Sequence, residues 1–299
     1  VRSGEVPDVL RRMKTGGAWV AHSDDIRGVQ IDLDLLYNVN PVIFEQHLGI
    51  LLDRLERLDV NAVFVQAFSD PSATGTAASV YFPNRVLPMR ADLFNRVVHV
   101  IKTRTDAVVY AWLPALSFRV PETTIDELRV WTFDGRMVAP SAGRYERLSP
   151  FNETVQRMAG MLYEDMAINA PVDGILFHED AYLGDYEDFN LAALPYYNEF
   201  LGKRLFLPAE LTPSEISRWT LIKTEALSKY TQDLTKYLHT YRPRAHSLRT
   251  LASDVVIDPL RGRSYAQSYR RALDQYDYVV VMAYPRMAGV IDEKKWLRD

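Results

Sequence analysis

The stretch VDGILFHEDAYLGDYED, residues 172–188, decides how the rest of the chain is read. Ile175, Leu176 and Phe177 form a short apolar run without helical spacing, the pattern of a strand buried on both faces. Behind it, Glu179, Asp180, Asp185, Glu187 and Asp188 place five acids within ten positions. Parallel sheets carry their functional loops at the C-terminal ends of the strands, so a buried strand that runs into carboxylates marks a candidate site.

Outward from this strand the same alternation recurs. GVQIDLD (28–34), NAVFVQAF (61–68), AVVYAWLPAL (107–116), VDGILFH (172–178), SLRTLAS (247–253) and YVVVMAY (278–284) read as six strands. Helical patterns lie near 41–58, 91–104, 152–169, 189–202, 213–241 and 264–275. In the first, Ile43, Leu48, Leu51, Leu52, Leu55 and Leu58 recur at three- and four-residue spacing. Such an order predicts an α/β fold with a parallel sheet under helices, either an open doubly wound sheet or a closed barrel.

Two features favour a TIM-like (β/α) barrel. The strand ends carry polar or aromatic residues: Asp32 and Asp34, Gln66 and Asp70, Trp112, His178 to Asp180, Ser253 and Asp254, and Tyr284. No strand leads into a glycine-rich dinucleotide turn or a P-loop, which leaves nucleotide binding without support. Eight β/α units take about 250 residues or more once large loops are included. The sixth strand already lies near the end of the chain, so the barrel is expected to be incomplete at its C-terminal end. Residues 1–27 read as a linker or N-terminal extension, and 28–299 as the barrel domain.

Composition narrows the function classes. With 47% hydrophobic and 25% charged residues the chain is of ordinary globular type. A net charge of -4 argues against a nucleic-acid surface and mildly favours cationic ligands. The absence of cysteine removes disulfides and thiolate chemistry. No apolar stretch reaches the roughly 18 residues of a membrane span. The first residues lack a signal-peptide core, so an exported protein would carry its signal outside this sequence. The six histidines show no H-x-x-x-H or H-E-x-x-H spacing, and the acidic loop lacks EF-hand order. Neither a metal nor another cofactor is expected, and hydrolysis needs none.

At the mouth of a barrel, Glu179 and Asp180 would sit close together and partly buried, conditions that keep a proton on one carboxyl group. A proton donor to a glycosidic oxygen needs that property. Asp185, Glu187 and Asp188 read more simply as solvated acids that set a negative potential. Polysaccharide grooves mix aromatic rings, which pack on the C–H faces of sugars, with planar polar groups for the hydroxyls. On that basis Gln66, Asp70, Tyr81, Phe82, Asn84, Trp112, Phe118, His178, Tyr182 and Tyr284 are candidate sugar contacts, with core packing as the competing reading for the rings. Asp32 and Asp34 alternate with Ile31, Leu33 and Leu35 and so share one face of the first strand, with Asp34 the better ligand candidate. Asp34, Asp70 and Asp254 are candidate partner carboxylates, and their separation from the acid would choose between retention and inversion.

The run DGILFHED (173–180) resembles the D-G-x-D-x-D-x-E signature of the chitinase-type barrel glycosidases. Asp173 and Gly174 match its opening pair, Asp180 falls on the catalytic acid, and Leu176 and His178 replace the two intervening aspartates. Longer matches are IDLDLLY, VFVQAFSDP, VYFPNRVLPMRADLFNRV, VVYAWLPALSF, RLSPFNETVQRMAGMLYEDMA, VDGILFHEDAYLGDYED and VVVMAYPRMAGV. Together they resemble the C-terminal hydrolase domain of PgaB-type proteins, two-domain periplasmic enzymes that process poly-β-1,6-N-acetyl-D-glucosamine of Gram-negative biofilms. The resemblance implies a β/α barrel whose groove binds the partially de-N-acetylated polymer and hydrolyses it within the chain. It also implies an upstream metal-dependent deacetylase domain, for which residues 1–27 are too few, and a periplasmic or outer-membrane-associated location. The family usually reads His-Asp-Asp where this chain has His178-Glu179-Asp180, so Asp180 is the expected general acid and Glu179 the second choice. His178 would orient an acid or touch the sugar. The alternative function is a non-catalytic polysaccharide-binding module that guides the polymer for export.

Overall fold

Six strands form where the apolar runs lie: β1 (Gly28–Ile31), β2 (Ala62–Gln66), β3 (Val108–Leu113), β4 (Gly174–Phe177), β5 (His246–Ala252) and β6 (Tyr278–Met282). The computed structural model describes residues 26–120, 125–142, 145–202, 208–286 and 288–298; the expected linker falls almost entirely outside them. Every strand pairs in parallel with its sequence neighbour, in the order β1-β2-β3-β4-β5-β6. A doubly wound sheet reverses its order at a switch point, whereas a barrel wall advances one strand at a time. Among the described residues β1 and β6 are both edges, so the wall is an incomplete barrel, as the strand arithmetic predicts.

Helices return the chain between strands: α1 (Pro41–Arg57), α2 (Phe94–Arg104), α3 (Glu153–Asn169), α4 (Leu194–Leu201), α5 (Pro213–Tyr241) and α6 (Tyr269–Gln275). Their starts are chemically marked. Asn40 and Asn152 cap α1 and α3 by accepting backbone N–H bonds, and Thr212 with Glu215 forms a reciprocal capping box ahead of Pro213. The expected helix at 264–275 begins late, at Tyr269, because Pro259–Ser264 winds as a 3-10 turn and Ser268 supplies the cap.

The two faces of the sheet differ. Val63, Val65, Val109, Ala111, Leu113, Ile175, Phe177 and Leu251 point outward into the main core under the helices. Ala62, Tyr110, Leu176 and Leu248 form a second, smaller core on the inner face, with Phe64, Val108, Trp112, Tyr278 and Val280 packed against it. In register, Gln66, Trp112, Leu176, Leu248 and Tyr278 lie side by side across five strands. Gly174 has a steric role on this inner face. A Cβ there would stand 2.3 Å from the His246 carbonyl oxygen and 2.8 Å from the Tyr110 ring, so only glycine lets that ring lie across β4.

β1 is shorter than its sequence pattern. It ends at Ile31, and Asp32 caps a single helical turn, Leu33–Leu36, by accepting the Asp34 N–H at 2.8 Å. Asp34 therefore leaves the strand, and the expected alternation of Asp32 and Asp34 along one strand face does not hold. A polar side chain that can bond the backbone two residues on offers the chain this turn in place of another strand residue.

Candidate active site

β4 delivers His178, Glu179 and Asp180 to the C-terminal rim of the sheet, directly after Phe177. The three side chains meet different surroundings. His178 is 3% exposed, with its ring stacked on Trp112 at 5.1 Å and edge-on to Phe68 and Tyr145 at 5.5 Å each. Its Nδ1 lies 3.3 Å from the Asp180 N–H, which donates to it, and its Nε2 lies 3.3 Å from Glu179 Oε2. A nitrogen that accepts leaves the proton on the other, so Nε2, the nitrogen near Glu179, carries it.

Asp180 is buried completely. Its Oδ1 accepts the Ala115 N–H at 3.1 Å, and its Oδ2 accepts those of Leu116 at 2.7 Å and Ser117 at 2.5 Å. Tyr163 and Tyr230 bond the carbonyls of the same segment, at Leu113, Pro114 and Ala115. Asp180 thus staples the loop after β3 to the loop after β4. Asp180, the expected general acid, therefore has both oxygens bonded to amides and no exposed surface.

Glu179 is the acid that reaches the surface, its side chain 28% exposed. The Tyr145 hydroxyl donates to its Oε1 at 3.2 Å. Tyr145 also meets Tyr182 edge-on at 6.2 Å, and Tyr182 meets Tyr265 at 6.1 Å. Glu179 thus bonds the first of a series of edge-on rings, Tyr145, Tyr182 and Tyr265, and a carboxyl group beside aromatic faces suits a pyranose chain.

A family model described as hypothetical glycosyl hydrolase family 13 matches residues 30–299. The chain belongs to that family. Like other members of hypothetical glycosyl hydrolase family 13, it is a glycoside-hydrolase domain. It is 34% identical over 274 residues to the poly-beta-1,6-N-acetyl-D-glucosamine N-deacetylase of Escherichia coli strain K12, a match covering 91% of this chain and 41% of that protein. The chain therefore spans well under half the length of the curated relatives it matches. Its fold superimposes on the PgaB (BpsB) glycoside hydrolase domain from Bordetella bronchiseptica with a TM-score of 0.84 and 39% identity, covering 92% of this chain and 79% of that one. A β-galactosidase from Rahnella sp. R3 shares the fold at TM-score 0.58 and 13% identity, over 87% of this chain and 39% of the enzyme.

The remaining expected contacts scatter. Trp112, half-buried on β3, joins the His178 cluster, and Gln66 sits beside it in register. Gln66 is 5% exposed and spends its amide on Asp32 and the Phe68 carbonyl. Asp34 is no free ligand: Ser69, Tyr81, the Asp70 N–H and Arg90 all donate to it. Asp70 closes its own loop through Thr74 and Gly75, and Asn84 ties Phe82, Val86 and Leu87. Phe82 is fully buried against Phe94, and Tyr81 and Phe118 are buried as well, so these rings belong to the core. Tyr284 is half-exposed beyond the edge strand β6, two strands from β4.

Glu187 is 6% exposed and Asp188 fully buried, where the composition of the loop predicts solvated acids. Burial raises the Glu187 carboxyl, but Arg147, the Gly184 N–H and Ser141 outweigh it and hold the group below its usual range. Asp188 accepts the Trp131 and Asn190 N–H groups, yet burial dominates and pushes it up to about 6. Asp185 pairs with Arg263 at 3.1 Å. These acids organise the loop internally and contribute little to an external field. Sequence reasoning also missed Tyr145, which arrives from an irregular loop with no periodic signal.

Among the described residues no cluster of three or more histidines and acids could hold a metal ion, and no helix is long and apolar enough to cross a membrane.

Proposed function

We propose that this domain hydrolyses partially de-N-acetylated poly-β-1,6-N-acetyl-D-glucosamine within the chain, with Glu179 as the carboxyl group that protonates the glycosidic oxygen. The single observation that carries the reading is the contrast at the rim of β4: Glu179 reaches solvent beside Tyr145, while Asp180 is spent on three amides. Kinship to a deacetylase of this polymer supports the substrate. Glucosamine units carry ammonium groups near neutral pH, and the net charge of -4 favours cationic ligands.

In this scheme the Tyr145 hydroxyl, which donates to Oε1, orients the Glu179 carboxyl group and leaves its other oxygen to carry the proton toward the sugar. Trp112 and Tyr182 offer the faces on which pyranose rings pack. Asp34 and Asp70 are committed to internal bonds, which leaves Asp254, at the start of the short helix after β5, as the candidate partner carboxyl. The full-length protein would carry a deacetylase domain upstream and act in the periplasm or at the outer membrane.

Incubating the purified domain with polymer of graded acetylation and weighing the products by mass spectrometry tests this. Oligosaccharides should appear from partially deacetylated polymer. Binding without shortening would favour the alternative, a polysaccharide-binding module.

A further inference from the structure

Behind Tyr182 lies a buried arginine, with a buried lysine gripping the same loop, that the reaction scheme does not use. Arg147 is 2% exposed, with its guanidinium 3.8 Å from the centre of the Tyr182 ring. Its Nη1 donates to the Tyr182 carbonyl at 2.6 Å, and its Nη2 to Glu187 Oε1 at 2.9 Å. Glu187 is held in turn by the Ser141 hydroxyl and the Gly184 N–H, each at 2.7 Å. From the other side Lys223, also buried, donates to the Gly184 and Asp185 carbonyls at 2.6 and 3.2 Å. Charges taken out of water are costly unless each finds a partner, so two of them gripping one loop fix its path closely.

That loop begins at the catalytic strand. Arg147 stands two residues beyond Tyr145, which bonds Glu179, and the ring that Arg147 covers is the one that meets Tyr145 edge-on. One irregular segment therefore supplies both the hydroxyl on the acid and the support for the neighbouring ring. A guanidinium can stack on a ring and donate in two directions at once; a lysine ammonium lacks the plane and the fork.

We propose that Arg147 is a positioning residue for sugar binding: it sets Tyr182 as one wall of the subsite beside Glu179 and acts on the polysaccharide only through that ring. The inference rests on the hydrolase reading and deepens it. Its test uses a Glu179→Gln background, so that affinity is read without turnover. Into it go Arg147→Lys, Tyr182→Ala and the two together, with binding of a partially acetylated β-1,6-glucosamine oligosaccharide measured by calorimetry. Arg147→Lys should weaken binding about tenfold, within the range for contacting residues. Added to Tyr182→Ala it should cost nothing further. With Glu179 intact, Arg147→Lys should raise KM while kcat changes much less.

Independent, additive losses would overturn the inference, as would parental affinity in Arg147→Lys. Should Arg147→Lys fail to fold, Arg147→Met with Glu187→Gln removes both charges together and answers the same question. A Glu179→Gln protein that binds no oligosaccharide overturns the hydrolase reading along with this one, whereas binding with additive losses overturns the Arg147 role alone.

Discussion

Glu179 and Asp180 are adjacent in the chain and opposite in circumstance, and the difference is testable by stability. Asp180→Asn turns an acceptor of three amide bonds into a group with donors facing donors, and it leaves buried N–H groups unmatched. The expected loss is about 2–4 kcal/mol in a urea titration. Glu179→Gln should unfold within about 0.5 kcal/mol of the parent, because that side chain is partly solvated and its one hydrogen bond is long. Asp188 makes a pH-dependent prediction. Its carboxyl titrates near 3.9 when unfolded and is pushed up to about 6 by burial in the fold. The folded state thus binds the proton more readily, so the stability from this group is complete below about pH 4 and is lost as pH rises through 6. Between pH 4 and 7 the parent should lose up to about 3 kcal/mol relative to Asp188→Asn, by urea titrations at each pH. Burial pushes Lys223 down to about 7, so that group alters stability only above pH 7, outside this window. None of this burial was legible in the acidic run, because it depends on Arg147, Trp131 and Ser149, which reach the loop from far along the chain.

At the scale of elements the sequence speaks more plainly. Most of the strands are apolar runs, and asparagine or threonine marks the starts of α1, α3 and α5, so strand and helix order follow from spacing and caps. What spacing could not show is where a strand gives way to a turn, as at Asp32, or that the loop after β3 folds a hairpin, Trp131–Phe133 against Val138–Pro140. Two substitutions probe the elements. Gly174→Ala forces a methyl group against the His246 carbonyl and the Tyr110 ring, and a loss of about 1–3 kcal/mol in a denaturant titration is expected. Asn152→Ala removes the acceptor for the Thr154 and Val155 N–H groups at the head of α3 and should cost about 1 kcal/mol.

On the scale of the molecule, a parallel wall built one strand at a time brings β3 and β4 side by side, and with them Trp112, His178 and Glu179. The rim position of the tripeptide was readable from the strand order. Which of its two acids is buried was not, since that turns on which one the loop after β3 captures. Everything proposed for the rim turns on Glu179 being the acid of a polysaccharide hydrolase. Its most direct test is the release of reducing ends from partially deacetylated poly-β-1,6-N-acetyl-D-glucosamine by parent and Glu179→Gln proteins, each shown to be folded. The account predicts release by the parent and a fall of about 100- to 10,000-fold in the variant; equal release by both would contradict it.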